Sequence, residues 1–244
     1  MQAAFNPWGN IFFVRMRVDP ALIASLPTLL SVERFGTYLR KAGSDRDKAA
    51  RYYSWNIEVS GAFWGPLHVL EIATRNAMQR QLASRFARDD WWKVPRLQLT
   101  KINTDSIEAA AKKARTTARA QQRSAVPGDV VSGLMFGFWT ALAGKGGSLQ
   151  YESKLWNPVL KHAFPHYLGN RANLHAQLDE IREFRNRIAH HEPIVWRNPA
   201  GMRSKILTVA GYIDPDVANY IDKSDRISIC LSREASALSG VCRF

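Results

Sequence analysis

From Asp19 onward the apolar residues recur at spacings of three and four, the period of an amphipathic helix. Pro20 stands where a first-turn proline is tolerated, and Pro27 is expected to break that helix. Ser31 has the chemistry of a helix cap, and Val32, Phe35, Leu39 and Ala42, with Tyr38 alongside, predict one buried face before Gly43 stops the helix. A further helix is predicted from Asp47 to about Ser60. Gly65-Pro66 then starts or kinks a long one through Phe86, with Leu67, Leu70, Ala73, Ala77, Met78 and Leu82 on its inner stripe. Later segments predict helices over Val130–Ala143, 152–162, Ala172–His191, Met202–Ile213 and Pro215–Ile221. Residues 1–18 alternate weakly and give either a short strand or a loose leader. With no repeat, linker or strand series, the expectation is an all-α chain with a single domain over 19–244.

One helical stretch differs from the rest. Residues 101–123 carry Lys101, Lys112, Lys113, Arg115, Arg119 and Arg123 against Asp105 and Glu108, with much alanine and few large apolar residues. High helix propensity with little to bury predicts a solvent-facing basic helix. It serves either as a solvated face or as a track for a polyanion.

Charge extends that point to the whole chain. Its 244 residues hold 34 Lys and Arg against 21 Asp and Glu, a formal +13, which favours a nucleic-acid or anionic-surface partner. The apolar fraction of 46% is that of a globular protein and excludes a disordered or fibrous class. Two cysteines, Cys230 and Cys242, are too few for a disulfide framework and predict reduced thiols. No apolar run is long enough for a membrane span, and no export-signal pattern opens the chain. These features predict a basic cytoplasmic protein that does not insert in membranes.

Several catalytic signatures are missing. Gly144-Lys145 is similar to the end of a phosphate-binding loop, but Trp139 occupies the first glycine position and Gly146 replaces the following Ser or Thr. His162 and His166 have the spacing of two ligands on a helix face, yet Pro165 lies between them and no carboxylates complete a set. No metal and no cofactor is expected.

The segment that carries chemistry is Glu180-Ile181-Arg182-Glu183-Phe184-Arg185-Asn186-Arg187-Ile188-Ala189-His190-His191-Glu192-Pro193. With Arg185 at the origin of a helical wheel, Arg182 falls at about 60°, Asn186 at about 100°, His190 at about 140° and Arg187 at about 200°. Ile181, Phe184 and Ile188 gather at roughly 260–320°, the core side. Asn186 and His190, four apart, are placed to hydrogen-bond. An imidazole held by an amide beside guanidinium groups can bind a phosphodiester and move protons around it. The helix is expected to end near His191, because Pro193 disfavours helical geometry at Glu192. The negative end of the helix dipole then favours imidazolium and leaves anion binding to the arginines. The same residues also make an ordinary helix C-terminus with solvated ion pairs.

The segment from Arg182 to Ile194 resembles the signature of Abi-like (abortive infection, AbiD/AbiF type) proteins of the HEPN superfamily. Further blocks resemble the family in order: Leu30-Ser31-Val32-Glu33-Arg34-Phe35, Tyr52-Tyr53-Ser54-Trp55-Asn56, Leu70 to Ala77, Phe136-Gly137-Phe138-Trp139 and Leu155-Trp156-Asn157-Pro158. The resemblance covers about residues 25–223. It implies a HEPN-type helical bundle with additional helices and a metal-independent RNA endonuclease. Such proteins act as toxins in phage defence or in toxin–antitoxin systems, with a composite site across a homodimer and, in some members, a small antitoxin RNA. Arg185 and His190 take the family's Arg-x4-His positions, and Asn186 the polar position after the arginine. Glu71, Arg75 and Asn76 match its Glu-x3-Arg-Asn block, and either line the site or form a Glu–Arg pair beside a buried amide. His191 satisfies a looser Arg-x5-His spacing but, at about 240° on the wheel, points nearer the core.

The expected chemistry is attack by the RNA 2′-hydroxyl, leaving a 2′,3′-cyclic phosphate and a 5′-hydroxyl. Arg185 would hold the phosphate, His190 would move the proton and Asn186 would orient the imidazole. Lys112, Lys113, Arg115 and Arg119 would hold single-stranded RNA. The alternative is a non-catalytic RNA-binding or regulatory HEPN protein in which the Arg-Asn-His cluster is structural.

Overall fold

The computed structural model describes residues 20–240, all helix and connecting turn with no strand among them. The fold is all-α. The expected leader and Cys242 lie outside the described residues. Spatially, residues 20–61 and 229–240 group into one compact unit and Ala62–Ser228 into another.

In the first unit, α1 (Pro20–Leu30) runs through Pro27 instead of breaking there. A proline removes one backbone hydrogen bond and bends a helix without having to end it. Ser31 caps α2 (Val32–Lys41) by accepting from the Arg34 N–H at 3.4 Å. The buried stripe of α2 is Phe35, Tyr38 and Ala42, whereas Val32 is 71% exposed and Leu39 half-buried. On the helical wheel these last two flank the stripe, so spacing alone overstated the face. The first part of α3 (Arg46–Phe86) buries Ala49, Ala50, Trp55 and Val59. It also fixes the C-terminal segment of the same unit. The Trp55 indole donates to the Cys230 carbonyl at 2.9 Å, Arg51 donates to the Leu238 carbonyl at 2.7 Å, and Arg233 pairs with the buried Glu58. Cys230 and Leu238 belong to the short helices α10 (Ile227–Ser232) and α11 (Glu234–Leu238), and Arg233 is their junction.

The α3 helix is one element of 41 residues, not two meeting at Gly65-Pro66. Pro66 interrupts a single hydrogen bond, while Ala62, Phe63, Pro66 and Leu67 around it are all buried. Each fully buried large side chain here contributes roughly 1.5–3 kcal/mol, enough to offset a missing bond. Leu67, Leu70, Ala77, Met78 and Leu82 form the expected inner stripe, with Ala73 only half-buried.

Elsewhere in the second unit, α4 (Lys101–Ala120) is capped by Thr100 and buries Asn103, Ile107, Ala110, Ala114 and Ala118. The predicted solvent-facing helix is therefore half right. Its alanines form a narrow seam against α5 (Pro127–Gly133), where a Cβ on Gly133 would lie 3.3 Å from that of Ala110. The helix expected over Val130–Ala143 is split, because Leu134 and Met135 are extended between α5 and α6 (Phe136–Leu142). Similarly, the stretch 152–162 is a π-helical turn, Glu152–Trp156, and a 3-10 turn, Leu160–Ala163, on either side of Pro158. Asn170 caps α7 (Arg171–Ala189), which packs between α6 and α8 (Pro199–Ile213). Asn198 and Asp214 cap α8 and α9 (Pro215–Ser224), each with proline in its first turn. No described helix is long and apolar enough to cross a membrane.

Candidate functional site

Ile181, Phe184 and Ile188, the core side read from the sequence, are buried on the inner face of α7, and the structure extends that face through Leu174 and Leu178. Phe184 meets Phe63 of α3 edge-on, with ring centroids 4.8 Å apart. That contact sets which arc of α7 faces α3 and α6. Arg185 is the next residue along and inherits its placement from Phe184.

Arg185 is held on two sides. Its Nε lies 3.8 Å from Glu71 Oε2, and its Cζ sits 5.7 Å from the centre of the Trp64 ring. The Nε is buried and makes no hydrogen bond among the described residues, while the side chain as a whole is 22% exposed. Glu71 is in turn fixed by the backbone, since its Oε1 accepts from the Phe136 N–H at 2.9 Å. Phe136 opens α6, whose cap Met135 offers no side-chain acceptor. Its N–H is one of the donors a helix start leaves unsatisfied, and Glu71 supplies the acceptor from another helix. Among the described residues nothing accepts from either Nη group of Arg185. The guanidinium therefore presents a preorganised fork with its outer edge available to a phosphate.

Trp64 was not singled out in the sequence. Taken as one helix, α3 places Trp64 and Glu71 seven residues apart on one face, so the signal exists. It disappears once the helix is divided at Gly65-Pro66.

Arg75 and Asn76, further along the same helix, behave differently. Arg75 donates to the side chain of its neighbour Asn76 at 3.1 Å, and Asn76 is exposed. Neither the Glu71–Arg75 pair nor the buried amide is formed, because Glu71 turns to Phe136 and Arg185. Arg182 binds Asp179 at 2.6 Å and its aliphatic stem lies against Gly137, where a Cβ would stand 3.5 Å from Cδ.

The end of α7 is more specific than expected. Ala189 is the last helical residue, His190 is the cap (φ −92°, ψ 10°), and His191 is left-handed with φ 58°. The His191 N–H donates to the Ile188 carbonyl at 3.0 Å and the Glu192 N–H to the Arg187 carbonyl at 2.8 Å. This pair of bonds is the Schellman closure, with histidine in the place usually taken by glycine. An Arg187–Glu192 ion pair at 2.6 Å spans the same turn. Both histidines are exposed. His191 does not point toward the core, because its left-handed backbone takes it off the wheel that placed it there. The expected Asn186–His190 side-chain bond is also not formed. The bond between them is backbone to backbone, from the His190 N–H to the Asn186 carbonyl at 2.9 Å.

On α4, Lys112, Lys113, Arg115 and Arg119 are all exposed, and none enters an ion pair among the described residues. No group of three or more His, Cys, Asp or Glu gathers as a metal site among the described residues. Compared with family models, with curated proteins and with solved structures, the chain matches none.

Proposed function

We propose that this protein is an RNA endonuclease of the Abi-like HEPN kind, a cytoplasmic toxin of phage defence or of a toxin–antitoxin system. The observation that carries the proposal is the Arg185 fork, set by Glu71 and Trp64, on the helix that ends at the exposed His190. Arg185 grips two non-bridging oxygens of the scissile phosphate and stabilises the charge that grows on them. His190 removes the 2′-hydroxyl proton, O2′ bonds to phosphorus, and the bond to O5′ breaks. The leaving oxygen takes a proton from the same residue of a second copy, which makes the working unit a homodimer and the site composite. The products are a 2′,3′-cyclic phosphate and a 5′-hydroxyl, with no metal in any step.

One observation favours a second reading. Nothing in the chain hydrogen-bonds to the His190 imidazole among the described residues. Either RNA or a second copy orients it, or the cluster binds RNA without cutting it.

Incubation of the protein with RNA, and then sequencing of the ends, separates the two. His190→Ala should lower the cleavage rate by on the order of 10²–10⁴-fold. Arg185→Lys should also be poor, since a point charge cannot replace a bidentate fork. EDTA should change nothing, and 2′-deoxyribose at the cut site should block the reaction. Cleavage that requires Mg²⁺ and leaves 5′-phosphates would overturn these roles, and RNA bound but never cut would establish the regulatory reading.

A further inference from the structure

The loop after α6 has a second anion-binding geometry that the proposed nuclease chemistry does not use. Gly144-Lys145-Gly146-Gly147 fails as a nucleotide-binding signature in sequence, yet it folds around the mouth of a cleft of about 470 Å³. Gly146 and Gly147 both have positive φ, 67° and 59°. Among the described residues nothing accepts a hydrogen bond from the N–H groups of Lys145, Gly146, Gly147 or Ser148. Four consecutive free donors on a turn that switches from negative to positive φ make a concavity suited to an oxyanion. Gly146 is needed for the close approach as well as the φ, since a Cβ there would lie 2.3 Å from the Tyr151 ring.

The walls supply charge and a buried donor. Arg171 is 4% exposed, with Nη1 donating to the Ala143 carbonyl at 2.9 Å and Nε 3.3 Å from Glu152, while its Nη2 donates to nothing among the described residues. Lys145 is exposed at the rim and enters no ion pair among the described residues. Asn103, 1% exposed, lies in the same wall, and its Nδ2 is buried without a hydrogen-bond partner among the described residues. Burial, together with the Arg171 and Arg182 cations, pushes the His175 imidazole below its usual 6.5 against the pull of Asp179, so it lines the cleft as a neutral ring at pH 7. Ile102, Ala141 and Ala172 make the remainder apolar. The volume falls in the range of small-molecule sites, about 300–1,000 Å³.

We infer that this cleft is a binding site for a free phosphomonoester of mononucleotide size, the phosphate on the loop amides, Lys145 and Arg171, and the body against His175 and the apolar wall. The site is separate from Arg185 and His190, and it stands whether or not the protein cleaves RNA. Isothermal titration of the full chain with AMP tests it, with adenosine and a 5′-phosphorylated trinucleotide as comparators. AMP should bind saturably at one site, and adenosine at least tenfold more weakly. Lys145→Gln, which alters an exposed side chain outside any ion pair among the described residues, should weaken AMP roughly tenfold, the effect of about 1.4 kcal/mol. Gly147→Ala should weaken it as well: a Cβ there meets nothing within 4 Å, so the change acts on the positive φ of the loop and not on packing. Arg185→Gln should leave AMP binding unchanged. Absence of saturable binding at millimolar AMP, equal affinity for adenosine, or loss on Arg185→Gln in place of Lys145→Gln would each overturn the proposal. A trinucleotide that bound more tightly than AMP would overturn the assignment to a free ligand.

Discussion

Single carboxylates show how much a residue's role depends on what folding brings beside it. Asp129 accepts from Arg123 at 2.6 and 2.8 Å and from the Val126 N–H at 2.8 Å, at the start of α5. The Arg123 guanidinium first, and then the Val126 amide, hold its pKa at about 2, below the ordinary 3.8. A folded pKa below the unfolded one means that the contact stabilises the fold above about pH 3.8 and is lost as pH falls toward 2. An NMR titration of the Asp129 carboxyl carbon should find its midpoint near 2, and Arg123→Gln should move that midpoint upward. A wild-type midpoint near 3.8 would mean that the pair does not persist in solution. The Glu71 case differs in kind. Its two partners lie 65 and 114 residues away in sequence, at Phe136 and Arg185, and no local pattern announces either.

Among the elements, the C-terminus of α7 is the one whose geometry exceeds its sequence signal. Pro193 marks where a helix has to be over, but the stop is made earlier, by the left-handed His191 and the two hydrogen bonds that close over it. A non-glycine residue with φ 58° carries a backbone cost that glycine avoids. His191→Gly should therefore raise stability slightly, by roughly 0.5 kcal/mol, the relief at the left-handed position being partly offset by the greater entropy of glycine in the unfolded chain. Urea unfolding reads this directly. A loss of stability on that change would show that the imidazole makes a contact worth more than the backbone relief. The α4 helix teaches a related lesson. Small side chains read as poor in buried area, but alanines every three or four residues let another helix come close, and α5 does so at Gly133.

For the molecule as a whole, the excess of +13 is the dominant property. In the RNA-binding proposal, positive side chains release counterions from the strand, so the logarithm of affinity should fall linearly with the logarithm of salt. For a single strand each contact adds about 0.7 to the slope, so Lys112→Gln, Lys113→Gln and Arg115→Gln together should flatten it by about 2. Filter binding to an unstructured RNA over a salt series measures this. An unchanged slope would place the RNA path away from α4 and leave that face a solvated one.

The sequence by itself determined the all-helical class, the Ser31 cap, the Ile181–Phe184–Ile188 side of α7 and the charge excess. Each is local or additive: a cap reaches three residues, a stripe repeats every three or four, and charge is a sum. The tertiary structure alone decided what the polar residues do. Helix propensity could not tell that buried neighbours would carry α3 through Pro66, and with that the alignment of Trp64 with Glu71 was hidden. Spacing placed Asn186 next to His190 but could not say that their side chains would stay apart. Nor could it show that a loop without the phosphate-binding signature would leave four amides without acceptors, among the described residues, beside a buried arginine. Those outcomes depend on which surfaces meet across elements, where distances of a few ångströms separate a hydrogen bond from none.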